Sequence, residues 1–210
     1  MKSLMVLGVA SVLAGQVALA AVDPSAPVQV GSPAFGGAAC PSGTTVAKVV
    51  PVQDEDGVSV VGELKPVAAR AGGKSGKTVS TQACELTIPV EVAKGFQAAL
   101  TGAKFEGSYD LPSGSRATVR TERFVAGGAG LKREQNLVAP AAGIAGSYES
   151  EMAPEEAVWT SCSGGGYNLR AQTRLVLMNE GKSKPARISI GRNGAETTHM
   201  VYKVQWRRCR

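Results

Sequence analysis

Histidine is almost missing from this 210-residue sequence, His199 being its one copy. That excludes most histidine-based metal sites and hydrolase chemistry built on a pair of histidines. Aromatic side chains number only ten and are dispersed, so no stacking platform for single-stranded nucleic acid is evident. Charged residues make up 19% of the chain, but hydrophobic ones make up 43%, which is not the composition of a disordered protein. Close cysteine pairs of the C-x-x-C kind are lacking, which argues against a zinc ribbon. Outside the first twenty residues no segment of ten or more shows helical periodicity, and no second long apolar run occurs.

What the chain has is an exported beginning. Residues 1–20, MKSLMVLGVASVLAGQVALA, start with Lys2, continue through an apolar stretch interrupted by Gly15 and Gln16, and end in Ala18-Leu19-Ala20. These are the parts of a secretory signal peptide, with cleavage expected between Ala20 and Ala21. Its removal leaves no integral membrane segment, and the protein is expected to be secreted or periplasmic. Residues 21–39, rich in Pro, Gly, Ala and Ser, read as an extended N-terminal arm, and 40–210 as a single domain.

All four cysteines, Cys40, Cys84, Cys162 and Cys209, lie beyond the signal. An even number in an exported chain predicts two disulfides. Three pairings are open. Cys40–Cys84 with Cys162–Cys209 is preferred because each bond then closes one half of the chain, and loops of that size contribute about 4 kcal/mol each in the chain-entropy account.

Glycine (26) and proline (11) punctuate the remainder, which favours many turns between short strands. Segments 44–52 and 58–64 are β-branched runs flanking the turn Asp54-Glu55-Asp56-Gly57. Residues 66–80 read as a basic loop of small residues. The clearest strand is CELTIPVEV at 84–92, with Cys84, Leu86, Ile88, Val90 and Val92 on one face; Pro89 should meet an edge or a bulge. Segments 96–100, 104–111 and 116–125 follow, and 126–157 reads as long loops with one or two short strands. Residues 167–178 alternate again, and 187–191 with 199–209 read as a closing hairpin about Asn193-Gly194. The expected fold is all-β: an antiparallel β-sandwich, jelly-roll or Ig-like, of nine to eleven strands with long loops and two disulfides.

Gly36-Gly37-Ala38-Ala39-Cys40-Pro41-Ser42-Gly43-Thr44 resembles the glycine- and cysteine-rich opening of the secreted DUF4360 proteins. Cys84-Glu85-Leu86-Thr87-Ile88-Pro89-Val90 is similar to that family's second cysteine strand. Phe105-Glu106-Gly107-Ser108-Tyr109 with Leu111-Pro112-Ser113-Gly114 is similar to its glycine hairpin, and Ser161-Cys162-Ser163-Gly164 to its third cysteine, with Ser161 where the family usually has proline. The resemblance spans most of 31–209. It implies an exported, disulfide-bonded domain of no assigned function and supplies no catalytic residues.

Several motifs invite chemical readings that their surroundings do not support. Ala71-Gly72-Gly73-Lys74-Ser75-Gly76-Lys77-Thr78 fits a loose phosphate-loop pattern, yet it runs into a strand rather than a helix, so a basic loop and no nucleotide is expected. Asp54, Glu55 and Asp56 lack the further ligands a calcium loop needs and read as a solvated turn. Glu149, Glu151, Glu155 and Glu156 have only Tyr148 and Trp159 as aromatic company, a poor setting for glycoside hydrolysis. No Ser stands in a G-x-S-x-G elbow, and His199 reads as an exposed sheet residue beside Met200. No catalytic residue, metal site or cofactor is assigned.

Beyond the signal, 22 cations face 17 anions once Lys2 is set aside. Lys182, Lys184, Arg187, Arg192, Arg207, Arg208 and Arg210 crowd the C-terminal part, a pattern that suits polyanions as well as plain solubility. The sequence therefore predicts an exported, non-enzymatic structural, surface or binding module. A carbohydrate- or polyanion-binding protein using the basic C-terminal residues, with extracellular polysaccharide or cell-surface components as partners, is the first alternative. A small hydrolase or protease inhibitor is the second.

Overall fold

The structure is a computed structural model and describes residues 25–52, 57–152, 157–181 and 183–210. The expected signal segment 1–20 with Ala20 and Ala21, the turn acids Asp54, Glu55 and Asp56, and Glu155, Glu156 and Lys182 lie outside the described residues.

Alternation of apolar and polar side chains produces two antiparallel sheets whose apolar faces meet. In one sheet β1 (Val28–Val30) and β2 (Ala34–Gly36) pair in succession with the same edge of β6 (Val79–Val92). Beyond β6 come β11 (Gly165–Asn179), β8 (Ser115–Val125) and β9 (Leu131–Val138). The second sheet runs from β3 (Val46–Pro51) to β4 (Gly57–Leu64), β13 (Thr198–Arg208) and β7 (Phe96–Leu111), with β10 (Ile144–Met152) also paired to β7. Two short strands, β5 (Val67–Ala71) and β12 (Ala186–Ile190), extend the lines of β4 and β13. The fold is an all-β sandwich, and among the described residues no α-helix is present.

The inward rows are the ones the alternation marks. Cys84, Leu86, Ile88, Val90 and Val92 on β6 and Leu169, Ala171, Thr173, Leu175 and Leu177 on β11 are buried, facing Met200, Tyr202 and Val204 from β13. Pro89 sits where the partner strand is irregular: between the pairs Val30–Val90 and Ala34–Thr87 the N-terminal strand carries one extra residue. Gly31 there donates its N–H to the Pro89 carbonyl at 2.8 Å. The described part of the N-terminal arm is thus an edge of the sheet.

Four local expectations are corrected. Segments 96–100 and 104–111 belong to one strand, because β7 carries a β-bulge: Lys203 pairs with Gly102 and Val204 with Leu100, leaving Thr101 extra. The extra residue shifts the inward positions from Ala98 and Leu100 to Ala103 and Phe105, which in a sequence looks like a strand ending. Residues 67–71 of the supposed basic loop form β5, where the half-buried Val67 and the small Ala69 and Ala71 face inward and give little apolar signal. The 126–157 region holds two full strands, β9 and β10, which carry few apolar residues because they lie at sheet margins. Finally, β12 and β13 do not form a hairpin. Both run antiparallel to β7, end to end, so Asn193-Gly194 lies in a detour and not in a reversal.

Close packing explains one glycine in particular. A Cβ on Gly107 would lie 2.2 Å from Cζ of Tyr148 and 2.3 Å from the Ser189 carbonyl oxygen, and the Tyr148 hydroxyl donates to that same carbonyl at 2.9 Å. Ser108 and Ser189 share a hydrogen bond of 2.8 Å beside it. We expect Gly107→Ala to lower the unfolding free energy by about 2–3 kcal/mol, as overpacking does in a closed core. Denaturant titration measures it, and a loss below about 0.5 kcal/mol would contradict this packing.

Candidate functional site

An open groove of about 830 Å³ lies where β5 ends and β12 begins. Its position follows from sheet register. Arg70 on β5 stands directly opposite Arg187 on β12, and Arg187 stands directly opposite Asp110 on β7. Residues opposite one another in an antiparallel ladder share a face, so the three side chains form one row. The loop after β5 makes one wall: a 3-10 turn, Gly73–Ser75, closed by Gly72 N–H to the Lys77 carbonyl at 2.7 Å. Gly72 has φ +74°, and a Cβ there would strike Nδ2 of Asn179 at 2.2 Å, so the loop can come this close only with glycine. The buried Asn179 fastens that wall to the other one by donating to the carbonyls of Ala71, at 3.3 Å, and Lys184, at 2.8 Å. The exposed Pro185 and the aliphatic stems of the two arginines supply apolar surface between, while Ala71 and Ala186 are 1% exposed and face the core.

Like charges directly opposite in a ladder repel, so Arg70 beside Arg187 is a costly arrangement. The Arg187 guanidinium is held at 2.6 Å by the neutral Asn193 side chain, and neither arginine makes an ion pair among the described residues. Elsewhere several cations that protrude from the sheets meet acids, as Arg170 meets Glu85, Lys132 meets Glu122, Arg192 meets Glu106 and Arg120 meets Glu134. Lys48, Arg133, Arg174, Lys203, Arg207 and Arg208 stand singly on their strands without an ion pair among the described residues. The groove thus gathers three cations, Arg70, Lys74 and Arg187, against one carboxylate, Asp110, with no ion pair among them.

The sequence-selected basic residues do not share one face. Arg187 lines the groove, and Lys184 lines a smaller depression of about 200 Å³ next to it. Arg192 is ion-paired to Glu106 at 2.5 Å. Arg207 lies over the Trp159 ring at 3.9 Å, and Arg208 lies 5.5 Å from the Phe96 ring. Arg208 pairs with Phe96 and Arg187 with Asp110 on the same strand β7, so the two groups are about 45 Å apart along it at about 3.3 Å per residue. Arg210 follows Arg208 at the C-terminus, and Lys182 is outside the described residues. Arg70 and Asp110 were not singled out by the sequence, and Lys74 only within the phosphate-loop-like motif read as a basic loop. The interleaving of Arg70 with the small Ala69 and Ala71 was the available signal.

The titrating groups that depart from their ordinary values lie outside the groove. Hydrogen bonding to Arg192 holds Glu106 below the usual carboxylate range, and hydrogen bonding to Glu149 raises Lys104. Hydrogen bonding to Ser161, 2.6 Å away, and to Ser163 lowers Tyr167. Burial pushes the phenols of Tyr148 and Tyr202 up. His199 is exposed on β13 opposite Glu63, and among the described residues no group of three or more His, Cys, Asp or Glu side chains could hold a metal ion. No helix among the described residues is long and apolar enough to cross a membrane.

The disulfides are Cys40–Cys84 and Cys162–Cys209. The first fastens the segment after β2 to β6. The second ties the end of β13 in one sheet to the approach to β11 in the other, with Gly95 between them: Cys209 N–H donates to the Gly95 carbonyl at 2.9 Å and Gly95 N–H to the Cys162 carbonyl at 3.1 Å.

A sequence model described as a domain of unknown function, DUF4360, matches residues 26–209 and so takes in both sheets and all four cysteines. The chain belongs to the DUF4360 family. No curated protein matches it. Among solved structures, TmCBM61 in complex with beta-1,4-galactotriose is similar to this DUF4360 chain at 13% identity over 87% of this chain and 89% of that one, with a TM-score of 0.25. A likeness of that strength carries no argument about what the groove holds.

Cys40 and Cys84 are each 1% exposed, whereas Cys162 is exposed and Cys209 half-buried. Thiol–disulfide exchange needs access for the attacking thiolate. With a mild dithiol under native conditions, Cys162 and Cys209 are expected to take up an alkylating label first, with Cys40 and Cys84 labelled only on unfolding. Peptide mass mapping reads the order, and simultaneous labelling would contradict it.

Proposed function

We propose that this protein works outside the cytosol as a non-enzymatic binding module that holds an anionic polymer in the groove where β5 ends and β12 begins. Export is supported by the two disulfides, which persist in oxidising compartments, and by the signal-like sequence of residues 1–20. The observation that carries the binding reading is the Arg70–Arg187 pair: two cations held side by side in an open groove of about 830 Å³, neither within ion-pair distance of a carboxylate among the described residues. Two planar guanidinium forks at that spacing suit carboxylate, sulfate or phosphate groups in bidentate fashion. Lys74 on the wall adds a third cation. Such a site binds by charge and shape and does not ask for an acid–base pair.

Binding to immobilised anionic polymers tests this. The double variant Arg70→Ala/Arg187→Ala is expected to weaken binding by at least about tenfold, the loss of charge-assisted hydrogen bonds. Affinity should also fall as salt shortens the Debye length from about 10 Å toward about 3 Å. Arg207→Ala/Arg208→Ala, at the other end of β7, should leave it unchanged. Equal losses in the two double variants would show that net charge, and not the groove, does the binding.

A further inference from the structure

The groove is not uniformly basic. Asp110 stands in the same row as the two arginines, next to Arg187 and across it from Arg70, and it lines the groove without making an ion pair. A carboxylate there works against a ligand that is anionic at every point, because such a ligand meets Asp110 as it meets the arginines. It works in favour of a ligand that also brings hydrogen-bond donors, since an ionised carboxylate accepts at up to four positions and donates none. The floor, formed by Pro185 and the aliphatic stems of Arg70 and Arg187, asks for a third property, an apolar C–H surface, and no aromatic ring lines the groove to stack a base. Beside it, in the smaller depression, Asn179 spends its Nδ2 on the walls, and its buried Oδ1 has no hydrogen-bond partner. That oxygen is closed off from the surface, so Asp110 is the acceptor the groove presents.

Acid groups, hydroxyl donors and a C–H face occur together in an acidic polysaccharide. On the reading that the groove binds anionic polymers, we infer that its ligand is a polysaccharide carrying carboxylate or sulfate groups. Arg70 and Arg187 receive the acid group, Asp110 accepts from neighbouring hydroxyls, and the apolar floor takes the sugar's C–H face. A bare polyphosphate has the first feature without the other two.

Asp110→Ala separates these cases by the sign of its effect. Asp110 is exposed, so its truncation leaves the core intact. Wild type and variant are titrated with polygalacturonate and with inorganic polyphosphate of similar chain length at one fixed ionic strength. The expected result is that Asp110→Ala binds polygalacturonate about tenfold more weakly, through the lost hydroxyl contacts. It should bind polyphosphate about threefold more tightly, through relief of repulsion. If Asp110→Ala strengthens both, the saccharide assignment is overturned while the anion groove stands. If neither polymer binds the wild-type protein, or Arg70→Ala/Arg187→Ala changes neither, the groove reading itself falls, and this inference with it.

Discussion

A single buried contact sets the geometry on which the groove depends. Arg123 points between the sheets from β8, 1% exposed, and its Nη1 donates to the carbonyl of Thr101. Thr101 is the extra residue of the β7 bulge, the one with no opposite partner on β13. An orphaned carbonyl in the core costs about 1–3 kcal/mol, and a charged donor offsets that cost. The bulge matters because strand faces alternate with a period of two. Inserting one residue reverses the facing of everything downstream relative to what precedes it. Asp110 lies downstream. Had β7 kept the parity of Ala98 and Leu100, Asp110 would point into the core, and Tyr109 and Leu111 would point to solvent. The Arg123 contact thus helps fix the face on which the Arg70–Arg187–Asp110 row stands.

The legible parts of the fold were those in which burial on one face leaves an apolar rhythm, as in β6, β11 and β13. Their inward rows could be read because Leu, Ile, Val and Tyr alternate with charged or polar residues there. The cysteine count likewise predicted two bridges. What could not be read shares one physical trait: its position is decided by a partner and not by local pattern. β5 carries alanines inward, β9 is polar on both faces, and the end-to-end course of β12 and β13 is imposed by the length of β7. Asn193-Gly194 is a good turn signal, and the chain does turn there, but only to step around the Gly191 junction and continue in the same direction. The candidate site was half legible. Arg187 belongs to a conspicuous basic cluster in the sequence, whereas Arg70 and Asp110 reach it only through sheet register.

Net positive charge, taken by itself, said little about where a ligand would sit. Across the outer faces many cations meet acids, Arg120 with Glu134 and Arg170 with Glu85 on one sheet, Lys104 with Glu149 and Arg192 with Glu106 on the other. Those left single, such as Lys48, Arg174 and Lys203, are scattered over different strands. Exposed pairs of this kind contribute about 0–1 kcal/mol each, so stability is a weak account of them. Their clearer effect is on the field, because paired faces are close to neutral at the range of a Debye length. Against that background even a few unpaired cations in a walled groove dominate the local potential.

The two disulfides divide the mechanical work in a way that protects this site. Cys162–Cys209 sits at the rim where β7 begins, holding one sheet against the other through the Gly95 turn. The groove lies at the opposite end of β7, and its walls are joined by Asn179, the Gly72 approach and the β5–β12–β7 ladder, with no cysteine among them. Cys40–Cys84 is buried within the core itself. Opening the exposed bridge therefore loosens the end carrying Trp159 and Arg207, while the row of Arg70, Arg187 and Asp110 keeps the ladder that positions it. The binding geometry rests on register and close packing, and the exposed covalent link secures the far end of the sandwich.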